Sequence, residues 1–250
     1  MSGELLSVEG LSYTVDSNRR ILHDLSFSIT KGSFTFLGGR NGAGKSALLR
    51  IIKGLYPITT GKISLNGSNV TAKAKHRLRE IGLVFQDADA QIVGQSVEKD
   101  LRFGLENINL PLAEQNMRID EVLSLLGMEA IRHQNPYTLS GGEKRKLAIA
   151  GVLVMQPSLI LLDEPFANLD YPSVVSTLTL LLDLQKRGHT ILLVSHEIEK
   201  CLAHADHLLL LDHGTLVIDS SPKEALTSLG GYGIYTPKGK RVEELTWLMQ

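Results

Sequence analysis

A glycine-rich octapeptide near the N-terminus is the feature that most restricts what this chain can fold into. It spans residues 39–46 and reads GRNGAGKS, which fits the pattern G-x-x-x-x-G-K-[ST]. The apolar run Ser33–Leu37 predicts a strand before it, and the apolar periodicity after Lys45 predicts a helix that ends at Gly54. In such a turn, backbone N–H groups and the helix N-terminus can surround a phosphate. The octapeptide therefore predicts a nucleotide-phosphate site, with Lys45 neutralising the β- and γ-phosphates and Ser46 holding Mg²⁺.

A pair of carboxylates follows a predicted buried strand in the second half of the chain. Leu159–Leu162 is entirely apolar, as in a parallel strand covered on both faces, and Asp163 and Glu164 come directly after it. Ligands of open α/β sheets bind at the carboxyl ends of the strands. We therefore expect Asp163 to hold Mg²⁺ through water and Glu164 to act as general base toward an attacking water. Taken alone, a strand that merely ends in polar residues explains the pair equally well.

A second glycine-rich helix start lies at residues 139–143, which read LSGGE. Ser140 and Glu143 fit an S-x-x-E capping box, which explains the two ends of the motif. Capping leaves Gly141 and Gly142 unexplained, because glycine in a helix lowers stability relative to alanine. We interpret the two glycines as room for the close approach of a second anionic ligand.

Apolar periodicity along the chain predicts an α/β core interrupted by a helical segment. Early short strands predict a small antiparallel β layer, and the apolar runs Leu159–Leu162 and Ile191–Val194 predict a parallel sheet. Residues 87–156 have a helical pattern. The tail after Gly231 is polar, with one possible short helix, Val242–Met249, and no assigned role. The other strands and helices expected are Leu5–Val8, Leu25–Ile29, Ser33–Leu37, Lys62–Leu65, Ile81–Phe85, Glu121–Leu126, Lys144–Met155 and Val174–Gln185.

Composition excludes several kinds of protein. The chain of 250 residues has a formal net charge of −1, without the basic excess typical of nucleic-acid-binding domains. Cys201 is the single cysteine, so no disulfide can form within the chain, and we expect a small buried side chain in a cytosolic protein. The longest apolar run, Leu147–Met155, is shorter than the roughly 20 residues of a membrane-spanning helix, and the N-terminus lacks a signal-peptide pattern. We therefore expect any work at a membrane to require a partner.

With these motifs in place, the chain resembles the ATP-binding subunits of ABC transporters over about residues 4–225. LSGGE is similar to the family's LSGGQ signature and precedes the carboxylate-bearing strand, as in the family. Gln86, after an apolar strand, matches the Q-loop, and residues 168–170 match the D-loop. His196, after Ile191–Val194, matches the switch histidine. A lone glutamine or histidine at a strand end is otherwise more often structural.

The resemblance implies a P-loop NTPase fold with a RecA-like core, a small antiparallel β layer and an inserted α-helical subdomain. The implied ABC ATPase domain covers residues 1–229. Its core and β layer occupy 1–86 and 157–229, and its helical subdomain occupies 87–156. Residues 230–250 are then a C-terminal tail.

The resemblance also implies the ligands and the residues that hold them. ATP and Mg²⁺ are the expected cofactors, and two subunits bind ATP head to tail between the P-loop of one and the signature of the other. Ser140 and Gly142 then contact the γ-phosphate across the interface, and hydrolysis releases the dimer. The expected catalytic residues are Glu164, His196 and Gln86, and the expected metal-binding residues are Ser46, Gln86 and Asp163. The expected nucleotide-binding residues are Gly39, Arg40, Asn41, Gly42, Ala43, Gly44, Lys45, Ser46, Ala47, Ser140, Gly141, Gly142, Glu143 and Asp170.

Three positions depart from the family pattern. Ala47 stands where the family usually has a threonine that bonds the α-phosphate, and the loss of such a hydrogen bond costs about 1 kcal/mol. The family's adenine-stacking aromatic falls near Val15, whereas Tyr13 lies earlier and is expected in a strand core. Glu143 replaces the usual glutamine. We expect hydrolysis to persist, because this position does not touch the catalytic groups directly in the family.

Residues 86–104 resemble a narrower group, the energy-coupling factor importers of vitamins and transition metals such as cobalt and nickel. The group's pattern is close to QNPDxQxVGxTVxxDVAFG, and here Asp87 and Ala88 replace the usual Asn-Pro. Residues 148–157 are also similar to that group. The resemblance implies a peripheral subunit at the cytoplasmic face of the cell membrane. Its implied partners are a second ATPase subunit, an integral membrane coupling protein and a small membrane substrate-binding protein, with no nucleic acid.

Other proteins with the same core chemistry stay open as alternatives. A soluble ABC ATPase of the translation type usually carries two cassettes, and one of the DNA-repair type carries a long coiled coil before the signature. The sequence shows one P-loop and no sustained heptads. A P-loop small-molecule kinase would lack LSGGE. An ABC exporter subunit shares the same ATP chemistry and is not distinguished by these motifs.

Overall fold

The computed structural model describes residues 3–15 and 19–248, in which strands and helices alternate along much of the chain. The strands are β1 (Glu4–Val15), β2 (Arg19–Thr30), β3 (Phe34–Gly38), β4 (Thr60–Leu65), β5 (Ser68–Asn69), β6 (Ile81–Val84), β7 (Leu159–Asp163), β8 (Thr190–Val194), β9 (His207–Asp212) and β10 (Thr215–Ser220). The α-helices are α1 (Lys45–Lys53), α2 (Ala74–Glu80), α3 (Val97–Asn107), α4 (Leu112–Leu126), α5 (Gly141–Leu153), α6 (Tyr171–Lys186) and α7 (Pro222–Ala225).

A six-stranded sheet forms the centre of the fold, with the strand order β10-β9-β3-β8-β7-β6. Its neighbouring strands are parallel except for β9 and β10, which form an antiparallel hairpin at one edge. Strands β3, β6, β7 and β8 are buried throughout, because their apolar side chains are covered on both faces. The expected parallel α/β core is confirmed.

A four-stranded antiparallel sheet, in the order β2-β1-β4-β5, packs beside this core. It confirms the expected β layer, although β1 and β2 are much longer than the predicted runs Leu5–Val8 and Leu25–Ile29. The two strands extend further because they pair with each other along nearly their whole length, from Glu4 opposite Thr30 to Val15 opposite Arg19. Tyr13 is buried in β1, as expected.

Helices α3, α4 and α5 lie between β6 and β7 and pack on one another. Buried Leu101, Leu105, Ile119, Leu123 and Leu147 join them to the hydrophobic core that covers one face of the central sheet. The helical pattern predicted for 87–156 is therefore present, while the exact subdomain boundaries stay a prediction. Across the described residues, none of the helices combines the length and apolar character needed to span a lipid bilayer.

The parallel strands bring several distant segments to one edge of the sheet. Strands β3, β8, β7 and β6 are direct neighbours, so their carboxyl ends lie side by side. Asp163, the last residue of β7, is paired with Val194 at the end of β8. The segments that follow these four strand ends contain Gly39, His196, Glu164 and Gln86.

The C-terminal tail differs from its prediction. The proposed helix Val242–Met249 is wrong for its described part, because only a 3-10 turn at Val242–Glu244 forms and Met249 lies outside the described residues. The tail instead folds back on the core, with Leu245 completely buried. Cys201 is also completely buried, as expected, and its burial raises the pKa of its thiol.

Candidate active site

The loop between β3 and α1 needs glycine at two positions for steric reasons. Gly39 has φ +145°, and a Cβ there would lie 2.3 Å from the carbonyl oxygen of Leu211. Gly44 has φ +104°, and a Cβ there would lie 2.7 Å from a methyl carbon of Leu22. Only glycine combines a positive φ with the absence of a Cβ, and the short distances show that the loop packs tightly against its neighbours.

The side chain of Lys45 forms hydrogen bonds within the loop. Its ammonium donates hydrogen bonds to the carbonyl oxygens of Gly39, at 2.6 Å, and Arg40, at 3.1 Å. Burial lowers the pKa of Lys45, while the carboxylates of Glu164 and Asp163 raise it. A buried cation with only carbonyl partners is suited to receive an anionic group, because phosphate oxygens accept stronger hydrogen bonds than carbonyls do.

Ser46 and Asp163 form the second part of the site. The Ser46 hydroxyl donates to Oδ1 of Asp163 at 3.1 Å, joining the start of α1 to the end of β7. Burial raises the pKa of Asp163, and the Ser46 hydrogen bond and Arg50 oppose that shift. A hydroxyl and a carboxylate side by side are hard oxygen ligands of the kind that Mg²⁺ prefers. These residues therefore fit the expected metal ion.

Glu164 and His196 form the third part. Glu164 is 8% exposed and has φ +48°, a conformation that is strained for a residue with a side chain. Its backbone N–H donates to the carbonyl oxygen of Val194, which holds it against the end of β8. Oε1 of Glu164 lies 2.9 Å from Nδ1 of His196. Strain held in place by neighbouring strands is common at functional positions.

One cavity of about 280 Å³ brings most of the expected residues together. A neighbouring cavity of about 680 Å³ shares Ser46, Gln86 and Asp163 with it and extends toward Gly141 on α5. The smaller cavity is lined by Asn41, Gly42, Gly44, Lys45, Ser46, Ala47, Gln86, Asp163, Glu164 and His196. Groups able to bind phosphate, metal and water thus face one space at the end of the parallel strands.

The signature residues and Asp170 lie outside this smaller cavity. Ser140 and Glu143 form the expected capping box at the start of α5, and these hydrogen bonds lower the pKa of Glu143. Asp170 caps α6 by accepting a hydrogen bond from the backbone of Ser173 at 3.1 Å. Gly142 packs against Ser173, since a Cβ at Gly142 would lie 2.6 Å from Oγ of that serine. Within one subunit these residues therefore have structural contacts, and their proposed roles toward ATP belong to a second subunit.

Arg145, which the sequence did not single out, and Gln91, the second glutamine of the pattern at residues 86–104, fix the backbone of the Gln86 segment. Arg145, buried on α5, donates to the carbonyl oxygens of Phe85 and Gln86, both at 2.6 Å. Gln91 accepts from the backbone N–H of Phe85 at 3.0 Å and donates to the carbonyl oxygen of Ala148 at 3.1 Å. A basic residue at a helix start is normally solvated, so nothing in the local pattern distinguishes Arg145 from its exposed neighbours.

The structure shows where the residues that depart from the family pattern near the nucleotide site lie. Ala47 lines the smaller cavity with a methyl group where a hydroxyl is usual. The ring of Tyr13 stacks on Tyr56 with the ring centres 5.7 Å apart, and Arg50 lies over Tyr56. Tyr13 is therefore engaged in the core, and Val15 is half-buried beside it.

Comparisons with known proteins agree with this geometry. Residues 22–167 match the family described as ABC transporter. The chain is 40% identical over 230 residues to the energy-coupling factor transporter ATP-binding protein EcfA1 of Lactobacillus gasseri, covering 89% of this chain and 80% of that protein. It is 34% identical over 228 residues to EcfA of Methanocaldococcus jannaschii, covering 90% and 82%.

A solved structure is similar over nearly the whole fold. It is cbiO1 from Clostridium perfringens, described as part of the ABC transporter complex cbiONQ. The two structures share a TM-score of 0.83 and 33% identity over 90% of this chain and 92% of that one. The chain therefore belongs to the ABC transporter family, among the ATP-binding proteins of the energy-coupling factor type.

Proposed function

We propose that this chain is the ATP-hydrolysing subunit that powers an energy-coupling factor importer for a vitamin or a transition-metal ion. The observation that carries the proposal is the convergence of Lys45, Ser46, Asp163, Glu164 and His196 on one cavity at the end of the parallel sheet. These are the groups that phosphoryl transfer to water requires: a cation for phosphate, oxygen ligands for a metal, and a carboxylate base.

The binding step uses the loop and the metal-facing oxygens. Lys45 exchanges its carbonyl partners for β- and γ-phosphate oxygens, and the backbone N–H groups of 39–46 surround the same phosphates. Ser46, Gln86 and Asp163, which line the cavity, would hold the metal ion through their side-chain oxygens. Mg²⁺ held there would neutralise the charge that develops on the phosphate oxygens. Ala47 offers no hydrogen bond to the α-phosphate, so the other contacts carry the binding.

The hydrolytic step uses Glu164 and His196. The carboxylate of Glu164 accepts a proton from the attacking water as the water oxygen bonds to the γ-phosphorus and the bond to ADP breaks. His196, within 2.9 Å of Glu164, orients that carboxylate and contacts the γ-phosphate. Products are ADP and phosphate.

A second ATPase subunit completes the site in this proposal. Ser140 and Gly142 are outside the smaller cavity of their own subunit, so they serve the γ-phosphate bound to the other subunit. The chain contains a full set of motifs, which is compatible with a homodimer as well as with a heterodimer of related subunits.

Docking to a membrane coupling protein is supported by a groove of about 600 Å³ between the core and the helical segment. Apolar side chains line or border it, among them Leu55 and Leu78, which are 45% and 39% exposed. Such exposed apolar surface marks a protein contact. The subunit then lies peripherally on the cytoplasmic face of the cell membrane, and a small membrane protein captures the solute.

The chemical part of the proposal is tested with Glu164→Gln. The variant keeps the shape of the side chain but cannot accept a proton, so we expect normal ATP binding and a turnover reduced by at least about 100-fold. Phosphate release is measured beside ATP binding by titration. Hydrolysis at the wild-type rate would remove the role given to Glu164.

The transport part is tested by recovering the tagged chain from detergent-solubilised native membranes and identifying its partners by mass spectrometry. We expect a multi-helix coupling protein and a small solute-binding membrane protein. Recovery of ribosomes or DNA-repair proteins would favour a soluble ABC ATPase. Recovery of a transporter that carries its own solute pathway, without a separate binding protein, would favour an exporter.

A further inference from the structure

We propose that residues 241–248, here called the C-terminal latch, position the His196 segment (residues 195–200) against the start of α6. Trp247 is the positioning residue. The inference rests on the proposed function, because it concerns the efficiency of ATP hydrolysis. It gives a role to the tail, whose sequence carries none of the family motifs.

Trp247 joins two segments that flank the active site. Its ring lies 4.7 Å from the ammonium of Lys200 and 5.4 Å from the ring of Tyr171. Its backbone N–H donates to the carbonyl oxygen of Lys200 at 3.1 Å, and its carbonyl oxygen accepts from the Tyr171 hydroxyl at 3.0 Å. Lys200 follows His196 closely in the chain, and Tyr171 is the first residue of α6. One residue of the tail therefore contacts both segments through side chain and backbone.

The rest of the latch is firmly attached. Leu245 is completely buried, and its carbonyl oxygen accepts a hydrogen bond from the backbone of Ala203 at 3.0 Å. Oγ1 of Thr246 lies 2.7 Å from Nε2 of His204 and accepts from the backbone of Leu248 at 3.0 Å. These contacts hold Trp247 in place between Lys200 and Tyr171.

A short chain of contacts leads from Trp247 to His196. The side chain of Lys200 is 6% exposed, and its ammonium bonds Oε2 of Glu197 at 2.5 Å. Glu197 directly follows His196, and its backbone donates to the Ser195 hydroxyl at 3.1 Å. Lys200 therefore secures the residue on one side of His196, and Trp247 in turn covers Lys200.

His196 depends on the contacts of the neighbouring Glu197 and Lys200, because its own side chain makes few contacts. It is 51% exposed, and its one hydrogen-bonding contact among the described residues is with Glu164. A nearly buried ammonium over an aromatic face is attracted by the negative face of the ring. Loss of the indole leaves Lys200 with Glu197 alone, and the backbone that carries His196 becomes less restricted.

The tail carries its own reporter, because Trp247 is the single tryptophan of the chain. In Glu164→Gln, saturating ATP with Mg²⁺ should change the tryptophan emission, since the ring touches both segments beside the nucleotide. The midpoint of this change should equal the dissociation constant for ATP measured independently by competition with a fluorescent ATP analogue. Emission that is unchanged at saturating ATP would overturn the latch.

The kinetic test compares three variants of the full-length chain. Trp247→Ala should lower kcat for ATP hydrolysis about fivefold and leave KM for ATP within about twofold, because the latch acts on the hydrolytic residues and not on the phosphate loop. Trp247→Phe should restore most of the rate, since it keeps an aromatic face for Lys200. Tyr235→Ala is the matched control, because Tyr235 is an aromatic residue of the same tail that is 73% exposed.

The outcomes separate the two proposals. Thermal unfolding of each variant sets an assay temperature well below its midpoint, so simple loss of folded protein does not affect kcat. A wild-type kcat for Trp247→Ala under these conditions would overturn the latch and leave the ATPase proposal intact. Wild-type chain that neither binds nor hydrolyses ATP would instead overturn the proposed function.

Discussion

Lys45 is the residue whose side chain ties the 39–46 loop together, through hydrogen bonds to two backbone carbonyl oxygens of that loop. Its two carbonyl partners lie on Gly39 and Arg40, and the proposed mechanism has phosphate oxygens take their place when ATP binds. Because charge-assisted hydrogen bonds to phosphate are each worth about 1.5–3 kcal/mol, Lys45→Ala should weaken ATP binding by about 100-fold or more. Calorimetric titration with MgATP measures the change.

A matched lysine elsewhere controls this measurement. Lys62→Ala removes an exposed lysine whose partner is Glu9 on the small sheet, and it should bind ATP normally. Circular dichroism of both variants shows whether they are folded. Unchanged ATP affinity in a folded Lys45→Ala variant would contradict the assignment of Lys45.

The sequence could predict the positions of some site residues but not of others. The positions of Lys45, Asp163 and Glu164 at the edge of the sheet were predictable, because each stands at a fixed place in a strand–loop–helix or strand-end pattern. Arg145 was not, since its burial depends on where the Gln86 segment folds against α5. That contact crosses a long stretch of chain, and no local pattern records it.

At the level of elements, the contact between α5 and α6 depends on one glycine. A Cβ at Gly142 would lie 2.6 Å from Oγ and 3.1 Å from Cβ of Ser173, whereas a Cβ at Gly141 meets nothing closer than 3.9 Å. Gly142→Ala should therefore destabilise the fold by about 1–2 kcal/mol through overpacking. Gly141→Ala should be neutral or should stabilise by up to about 1 kcal/mol, because alanine favours a helix.

Urea unfolding of both variants gives the comparison, and Ser173→Gly provides the partner for a double-mutant cycle. Removing the Ser173 side chain should make Gly142→Ala less costly, since the two groups then no longer overlap. Equal stability of the two alanine variants would show that α6 shifts to accommodate the added methyl group.

The helical segment is also joined by a charge network around Glu98 at the start of α3. Hydrogen bonding by Arg132 lowers the pKa of Glu98 to about 2, with Arg102 contributing in the same direction and burial opposing. Since this pKa lies below the ordinary value of 4.5, the stabilisation is complete above that value and disappears as the pH falls toward 2.

Glu98→Gln should therefore lower the free energy of unfolding by about 1–2 kcal/mol at pH 7, once solvent screening is allowed for. The difference from wild type should shrink as the pH falls from 4.5 toward 2. Glu114→Gln, which removes one helix-surface pair with Arg118, is the control and should cost less than about 0.5 kcal/mol. A pH-independent difference at Glu98 would assign its effect to packing rather than charge.

Helix α2 was not predicted and the tail helix was predicted wrongly, because contacts with distant parts of the chain shape both segments. Helix α2 is so rich in basic residues that it shows no apolar face, although Arg77 is buried and donates to the carbonyl oxygen of Ile51. In the tail, the sequence analysis expects one possible short helix, Val242–Met249. Contacts of Leu245 and Trp247 with the core override that local preference, which sequence periodicity cannot reveal.

At the scale of the whole molecule, the signature residues lie apart from the cavity proposed to bind ATP. The smaller cavity is lined by the residues proposed for binding and hydrolysis but not by Ser140 or Gly142. If those residues complete the site of a second copy, bound ATP joins two chains, and hydrolysis separates them. Glu164→Gln with MgATP should then run as a dimer at about twice the mass of the chain, and ADP should return it to the monomer. Light scattering during size-exclusion chromatography measures both states.

The dimer prediction has a strict control within the same chain. Glu164→Gln combined with Lys45→Ala should remain monomeric with ATP, because it lacks the cation that holds the phosphates. Glu164→Gln combined with Ser140→Arg should still bind ATP but should not dimerise, since a bulky cation then occupies the contact proposed for the γ-phosphate of the other subunit. A dimer that forms equally in all three variants would be independent of nucleotide, and ATP would then not be what joins the subunits.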